Sequence, residues 1–564
     1  MSLGGNNETS TVGQPLPPSD HAISVSLPTW LETLGYKKGD THIIDRMQTG
    51  YPRYFIHLSI RKLARFFETN FASPAERSLL VVSLNAASAA CDFLSSQSAN
   101  GKARILDYHG LCGKSWLPIY VILFPSEMFP LAKLFWQHTG LGISSRLAEK
   151  ILAQIEDFGI DYLSIRSPGI FNGSDRSTPR PEYESAIQAK KKIRHRILDI
   201  LSTRTNSRIY SADNKVLGSS GGKLLAIDDI FLYPTGMSAI WSAHQLCLGA
   251  LGNRKSVCFG FPYSDTLKIL QKWGPGCLFY ADGNDSSIDD LEEYLRSYRS
   301  TNNNTPPLLS LFTEFPSNPL LHSVNLQRLR GLADEYDFLI VVDETIGNFS
   351  NVNVLPLADI VVTSLSKIFS GYATVMGGSL VLNPNGKYFK ILKNHLVSTY
   401  EDYYFDDDAI VMEHNSRDFL HRVEAINYNS EALCEYLRSC SSVITRVYYP
   451  KWHGRDNYSA CQVKSKNGLA GYGGLFSLLF VSQRAAQVFY DSLSCSKGPS
   501  LGTNFTLACP YALLAHFGEL EWAADHGVPV ELVRISVGVE PLGDLMEAFR
   551  FAVKAAEEVQ ESII

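Results

Sequence analysis

Between residues 228 and 384, short apolar runs alternate with segments whose apolar residues recur at helical spacing. The runs "SVCFGF", "LLSLFTEF", "FLIVVDET" and "DIVVTSL" are rich in β-branched and aromatic residues, which predicts buried strands. Strands alternating with helices predict an α/β fold with a mainly parallel sheet and with ligands at the carboxyl ends of the strands. Upstream the same alternation continues. "IHLSIRKLARFF" has helical apolar spacing, "SLLVVSL" reads as a strand, and "WLPIYVILFP", too short to span a bilayer, reads as a buried strand. Past residue 395 the character changes. "GLFSLLFVS" and "VELVRISVGV" read as strands, and the terminal "GDLMEAFRFAVKAAEEVQ" places Leu545, Phe549, Ala552 and Ala556 on one helical face.

Polar segments divide this pattern. Residues 1–27 are Pro/Ser/Gly-rich and predict a disordered tail. "RSPGIFNGSDRSTPRPEYES" is rich in turn formers and predicts a linker over 166–189. The basic amphipathic stretch that follows, "KKKIRHRILDILSTRT", reads as a helix with a solvated charged face. The expected organisation is therefore a tail (1–27), an extra N-terminal α/β region (28–165), a linker (166–189), a large α/β domain (190–395) and a smaller α+β domain (396–564).

A chain of 564 residues is too long for one core, in keeping with this division. Its 51 Lys+Arg against 57 Asp+Glu give no electrostatic case for nucleic acid or an anionic membrane. Ten cysteines without a CxxC argue against a disulfide framework or a metal site and suit a reducing compartment. The first residues lack the basic-then-apolar order of a signal peptide, so a cytoplasmic location is expected.

Polar groups collect where the strands end. "FLIVVDET" ends in Asp343, "DIVVTSLSK" in Ser364, Ser366 and Lys367, and "LLSLFTEFPSNP" in Glu314 and Asn318. In "DDIFLYPTGMSAIW" a strand runs into Thr235, Gly236 and Met237, which open a helix; such an N-terminus is a ready phosphate site. A lysine for a Schiff base, a carboxylate for a pyridinium nitrogen and a helix N-terminus with hydroxyls for a phosphate are together what pyridoxal phosphate requires.

The signatures "YPTGMSAIW", "FGFPYSDTLKIL", "EFPSNPLL", "VVDETIGNF", "SLSKIFSG", "YGGLFSLLF", "KGPSLGTNFTL" and "LVRISVGVE" run collinearly over residues 190–564. By them the chain resembles the Cys/Met-metabolism group of fold-type I pyridoxal-phosphate enzymes, and is most similar to fungal cystathionine γ-synthases. The resemblance implies that Lys367 is the Schiff-base lysine and proton shuttle, and that Asp343 pairs with the pyridine nitrogen. Thr235, Gly236, Met237, Ser364 and Ser366 would hold the phosphate. Tyr263 would stack on the ring and act as acid or base, Asn318 would contact the ring hydroxyl, Arg534 would clamp the substrate carboxylate, and Ser500 would lie beside Lys367. A Tyr-x-Arg that reaches the phosphate of a neighbouring subunit would be Tyr51 and Arg53, within a homodimer or homotetramer. "HTGLGISSR", residues 138–146, is a further glycine loop able to face a phosphate, and is left unassigned.

The implied reaction is γ-replacement on an O-activated L-homoserine, with O-acetylhomoserine and cysteine giving cystathionine. Two departures leave the nucleophile open. After the lysine the chain reads Gly371-Tyr372-Ala373-Thr374 where such enzymes usually carry a polar run, which makes Tyr372 a candidate substrate contact, and Pro499 stands where many relatives have a glutamate. The alternative nucleophile is carbon, the enol of a β-keto acid, ester or aldehyde, leading towards pipecolate-type amino acids. A second alternative is an inactive scaffold relative, against which the intact lysine, aspartate and arginine argue.

Overall fold

In the computed structural model of the chain, the described residues are 11–97, 103–112, 115–158, 164–166, 181–205, 223–301, 306–463 and 471–562. The predicted strands assemble into a seven-stranded sheet. Its order is Ile230–Tyr233, Gly378–Leu382, Ile360–Ser364, Leu339–Asp343, Ser310–Glu314, Ser256–Phe259, Cys277–Tyr280. Gly378–Leu382 runs antiparallel to both neighbours, and the remaining pairs are parallel. Helices such as Gly236–Leu251 and Leu326–Tyr336 cover the sheet and bury its β-branched strands. Parallel pairing puts like strand ends at one edge: Glu314 stands opposite Asp343, and Asp343 opposite Val362, two residues before Ser364.

The C-terminal part forms a five-stranded sheet, Ile444–Tyr448, Leu475–Phe480, Leu532–Ser536, Leu507–Pro510, Ser496–Lys497, backed by helices Gln483–Ser492 and Leu542–Glu561. Leu545, Phe549, Ala552 and Ala556 are buried, as the helical spacing predicts. Arg534 sits on the central strand, between Ser477 and Cys509.

The N-terminal region is a layer of its own, a four-stranded antiparallel sheet ordered Glu76–Val81, Ser115–Pro125, Arg104–Cys112, Ser164–Arg166. Helices Leu58–Phe71, Leu84–Gln97, Phe129–Thr139 and Ser145–Phe158 flank it. The layer docks on the large domain through aromatic rings. Phe93 lies 4.5 Å and Trp241 4.9 Å from Trp273, whose indole N–H donates to His138 at 2.9 Å. Among the described residues no helix is long and apolar enough to cross a membrane.

Two expectations are corrected. Residues 11–27 are packed rather than a disordered tail. Pro15–Leu16 pairs with Ser24–Val25, the Leu27 N–H donates to the Lys497 carbonyl at 2.9 Å, and the Tyr490 hydroxyl donates to the Leu27 carbonyl at 2.8 Å. Val12, Ile23, Val25 and Leu27 are buried. Those few apolar residues, spaced among Pro and Ser, dock on an edge built elsewhere, so composition averaged over the segment conceals them. The linker also ends earlier than expected: helix Pro181–Thr205 has begun by Pro181 and buries Ile193, Ile197, Ile200 and Leu201, while residues 167–180 lie outside the described residues.

Leu27→Ala is expected to cost about 2–5 kcal/mol, as for a core leucine. It should lower the midpoint of thermal or urea denaturation, whereas an unchanged midpoint would mean that the segment is not packed.

Candidate active site

Lys367 follows strand Ile360–Ser364 on a turn whose apolar side chains point inward: Leu365, Ile368 and Phe369 are buried. Arg422, itself buried, clamps the turn by donating to the carbonyls of Ile368 and Phe369, each at 2.9 Å. Gly502 presses on it from the small domain. A Cβ there would lie 2.5 Å from the Ile368 nitrogen, and its φ of +68° suits glycine. The turn is thus fixed from two sides, and the lysine is only 8% exposed. Its Nζ donates to Tyr51 Oη at 3.1 Å and to Ser500 Oγ at 3.3 Å.

A cavity opens on this amine. Tyr51, Arg53, Thr235, Gly236, Met237, Tyr263, Asn318, Asp343, Ser364, Ser366, Lys367 and Arg534 all line it, and Ser500 reaches it through Lys367. Tyr372 does not. With Gly371 at φ +73° and Ala373 at φ +50°, the chain turns Tyr372 outward to 42% exposure, its ring 5.9 Å from the Arg422 guanidinium carbon. Tyr51 meets the lysine of its own chain, and Arg53 lines the same cavity, where the resemblance implies delivery from a neighbour.

At one end stands the helix Gly236–Leu251. Thr235 caps it, its hydroxyl accepting from the Ser238 N–H at 2.9 Å and lying 3.3 Å from the Gly140 carbonyl. The Gly236 and Met237 N–H groups open the first turn and have no acceptor within the helix. A Cβ on Gly236 would lie 2.6 Å from the Ser364 Cβ, so a glycine lets the strand end and the helix start close into a small cradle. The Ser366 hydroxyl is engaged with Gly377, accepting from its N–H at 3.0 Å and donating to its carbonyl at 3.2 Å.

At the other end, Asp343 Oδ1 accepts from the Thr345 N–H at 2.9 Å and hydroxyl at 2.6 Å. Among the described residues Oδ2 has no hydrogen bond. Burial pushes the Asp343 carboxyl up, with the Thr345 bonds opposing. A buried carboxylate with one oxygen open to a cavity suits a cationic N–H donor. The donor set therefore fits pyridoxal phosphate: amides and Ser364 for phosphate, Asp343 for the pyridinium and Lys367 for the aldehyde carbon.

The phenols differ from each other. Burial drives Tyr263 well above the usual value despite Arg53, whose guanidinium carbon lies 4.2 Å from the Tyr263 ring centroid. Burial opposes ionisation of Tyr51 as well. There the ammonium of Lys367, the hydrogen bonds of Tyr263 and Lys367, and Arg53 outweigh it and lower the pKa. The two hydroxyls are 3.5 Å apart. Arg53 also pairs with Asp265 and donates to Ser264 Oγ at 2.7 Å.

Three residues that sequence reasoning left without a role shape the site. Glu314 accepts from the N–H groups of Tyr263 and Asn318, the latter at 2.9 Å, and so positions both. Its place at a strand end in register with Asp343 was the available signal. Gly140, in the unassigned "HTGLGISSR", abuts the phosphate turn: a Cβ there would lie 2.2 Å from Thr235 Oγ1. His21, on the segment expected to be a tail, lines the cavity.

Residues 191–554 match the family described as Cys/Met metabolism PLP-dependent enzyme, and residues 59–144 the fungal trans-sulfuration enzyme N-terminal domain. The chain is 47% identical to the cystathionine gamma-synthase-like enzyme iboG2 of Amanita muscaria, with 98% of each chain covered. It is 39% identical to the cystathionine gamma-synthase of Neurospora crassa, over 97% of this chain and 98% of that one. It is also similar, at 32% identity over 97% of each, to the alanine racemase ungC of Aspergillus violaceofuscus. The lysine turn, the phosphate cradle and these whole-length likenesses agree: the chain is an enzyme of the Cys/Met metabolism PLP-dependent family, and pyridoxal phosphate is its cofactor.

Proposed function

We propose that the protein carries out γ-replacement on an O-activated L-homoserine, O-acetylhomoserine, with cysteine as the nucleophile and cystathionine as the product. One observation carries this reading. Ser500 bridges the amine and the guanidinium, its Oγ accepting from Lys367 Nζ at 3.3 Å and its carbonyl from Arg534 Nη2 at 2.8 Å. A proton-shuttling amine and a carboxylate clamp are thereby held at a fixed spacing, as an α-amino acid needs.

Bound pyridoxal phosphate supplies an aldehyde for the substrate amine and a ring that takes up the electrons released at its α-carbon. The protein supplies the rest. Arg534, steadied by Asn318 Oδ1 at 3.0 Å, receives the substrate carboxylate as a bidentate donor. Lys367 Nζ moves protons at the α- and β-carbons. Environments that push two phenols apart assign their roles: Tyr51, with its lowered pKa and its bond to Lys367, returns the amine to its basic form. Tyr263 keeps its proton and donates it towards the departing γ-oxygen.

A carbon nucleophile is the second reading, favoured by the apolar part of the cavity wall. There Ile23, Phe55, Trp136 and Ile143 present apolar surface, and His21 and His57 are held below their usual pKa, chiefly by burial. An enol of a β-keto ester needs no second cation there, whereas the carboxylate of cysteine would.

Mass spectrometry after incubation with pyridoxal phosphate, O-acetylhomoserine and either cysteine or ethyl acetoacetate decides between them. Cystathionine is expected from the first pair, and a carbon-linked adduct formed in its place would give the reaction to the second reading. Arg534→Lys should raise KM for the homoserine ester roughly 10- to 100-fold, the loss of a charge-assisted bond, and an unchanged KM would remove Arg534 from the clamp. Gly236→Ala should weaken cofactor binding about tenfold or more, each factor of ten being about 1.4 kcal/mol. Titration of the apoenzyme with pyridoxal phosphate measures this, and unaltered affinity would displace the phosphate from this turn.

A further inference from the structure

His21 and Ser145 line the same cavity as Lys367 but belong to no part of the cofactor cradle. His21 Nδ1 lies 3.0 Å from Ser145 Oγ, and Nε2 lies 3.4 Å from Glu149 Oε2. Ser145 opens helix Ser145–Phe158, and Glu149 follows one turn later on the same face. The other Glu149 oxygen accepts from Ser59 Oγ at 2.8 Å, which fixes the carboxylate from a second helix. With Glu149 on the Nε2 side, the Nε2–H tautomer of the ring leaves the Nδ1 lone pair for the proton of the Ser145 hydroxyl.

The charged and titratable groups facing His21 are Arg146, Glu149, His57 and Asp20. Burial and Arg146 lower its pKa against the pull of Glu149 and Asp20, so the ring is neutral at pH 7 and free to accept a proton. Arg146 is turned to Asp408 at 3.0 Å. His57 cannot take this part: its Nδ1 accepts from the Ser59 N–H at 3.2 Å, and its Nε2 lies 2.8 Å from the Asp20 carbonyl.

We propose that Glu149, His21 and Ser145 form a proton relay that deprotonates the incoming nucleophile, a co-substrate with an acidic S–H or C–H, in the γ-replacement on whose assignment this inference rests. The X–H bond of the nucleophile breaks. Its proton goes to Ser145 Oγ as the serine proton passes to His21 Nδ1, and Glu149 stabilises the imidazolium. The electron pair left on X forms the bond to the γ-carbon, from which the ester oxygen has departed with its own pair. His21 then sheds its proton to solvent. One homoserine ester and one X–H thus yield one substituted amino acid, one leaving anion and one proton.

The test compares holoenzyme of the wild type, Ser145→Ala, Ser145→Thr and His21→Gln in two measurements. The first is release of the leaving group from O-acetyl-, O-succinyl- or O-phosphohomoserine with no nucleophile added. The second is kcat/KM for cysteine and for ethyl acetoacetate as a function of pH. Ser145→Ala and His21→Gln should lower the second by about 10²-fold or more, the scale of general-base catalysis, and leave the first unchanged. Ser145→Thr, which keeps the hydroxyl, should restore it. In the wild type the second should fall as pH drops through the His21 pKa, below the usual 6.5, and this limb should vanish in His21→Gln. With cysteine the Ser145→Ala deficit should close above about pH 8.5, where the thiol ionises unaided. Undiminished capture in Ser145→Ala, or equal loss in both measurements, overturns the relay alone. No leaving-group release from the wild type overturns the reading of the reaction, and the relay with it.

Discussion

Glu314 and Asp343 end neighbouring parallel strands in register, and both carboxyls stand in buried surroundings. Strands in a sheet lie about 4.8 Å apart, so two acids at one edge must be compensated separately or remain protonated. Burial and the charge of Asp343 push Glu314 up, and the N–H groups of Tyr263 and Asn318 oppose that by bonding to it. Glu314 is thereby used up in positioning. Asp343 is held on one oxygen by Thr345, whose hydroxyl also accepts from the Ser364 N–H at 2.8 Å. A continuous chain of bonds therefore runs from the open carboxylate to the strand that presents Ser364 at the phosphate cradle. The spacing of Asp343 from Ser364 is set by the sheet, and the place of Tyr263 by the acid on the neighbouring strand.

The same edge explains why the two domains act together. Arg534 lies on the small sheet, yet its partners are Asn318 from the large domain and the carbonyl of Ser500, whose hydroxyl meets Lys367. Gly502, two residues on, seats against the lysine turn, and its N–H donates to Ser536 Oγ at 2.7 Å. A shift of one sheet against the other would break these bonds, so the Arg534 guanidinium and the Lys367 amine are held in one arrangement only while the two sheets stay in register.

The large sheet was legible because its strands are buried on both faces and read as continuous apolar runs. The polar residues that end those runs marked the cavity, and Lys367, Asp343, Asn318, Gly236 and Arg534 all stand there. What sequence could not show is what depends on contacts between distant segments. Tyr372 lies five residues from the lysine, but a left-handed residue on either side turns it outward. His21, by contrast, is carried to the cavity by a few apolar neighbours that pair with an edge strand nearly five hundred residues away, as when Leu27 bonds to Lys497. Local periodicity carries no trace of such pairing.

The N-terminal region is accordingly part of the site and not an appendage to it. Thr235 is held from one side by its own helix and from the other by Gly140, at the end of helix Phe129–Thr139. The Gln137 side chain donates to the Arg53 carbonyl at 2.6 Å, and Arg53 in turn packs on Tyr263. Helix Phe129–Thr139 with Gly140, and the segment around Arg53, thus reach Thr235 and the Tyr263 ring. Thr235, Gly236, Asp343, Ser364 and Lys367 all belong to the large domain, whereas another part of the cavity wall is built from residues between 21 and 60 and between 136 and 145. Changes in that wall can therefore reshape the cavity while Lys367, Asp343 and Arg534 stay in place.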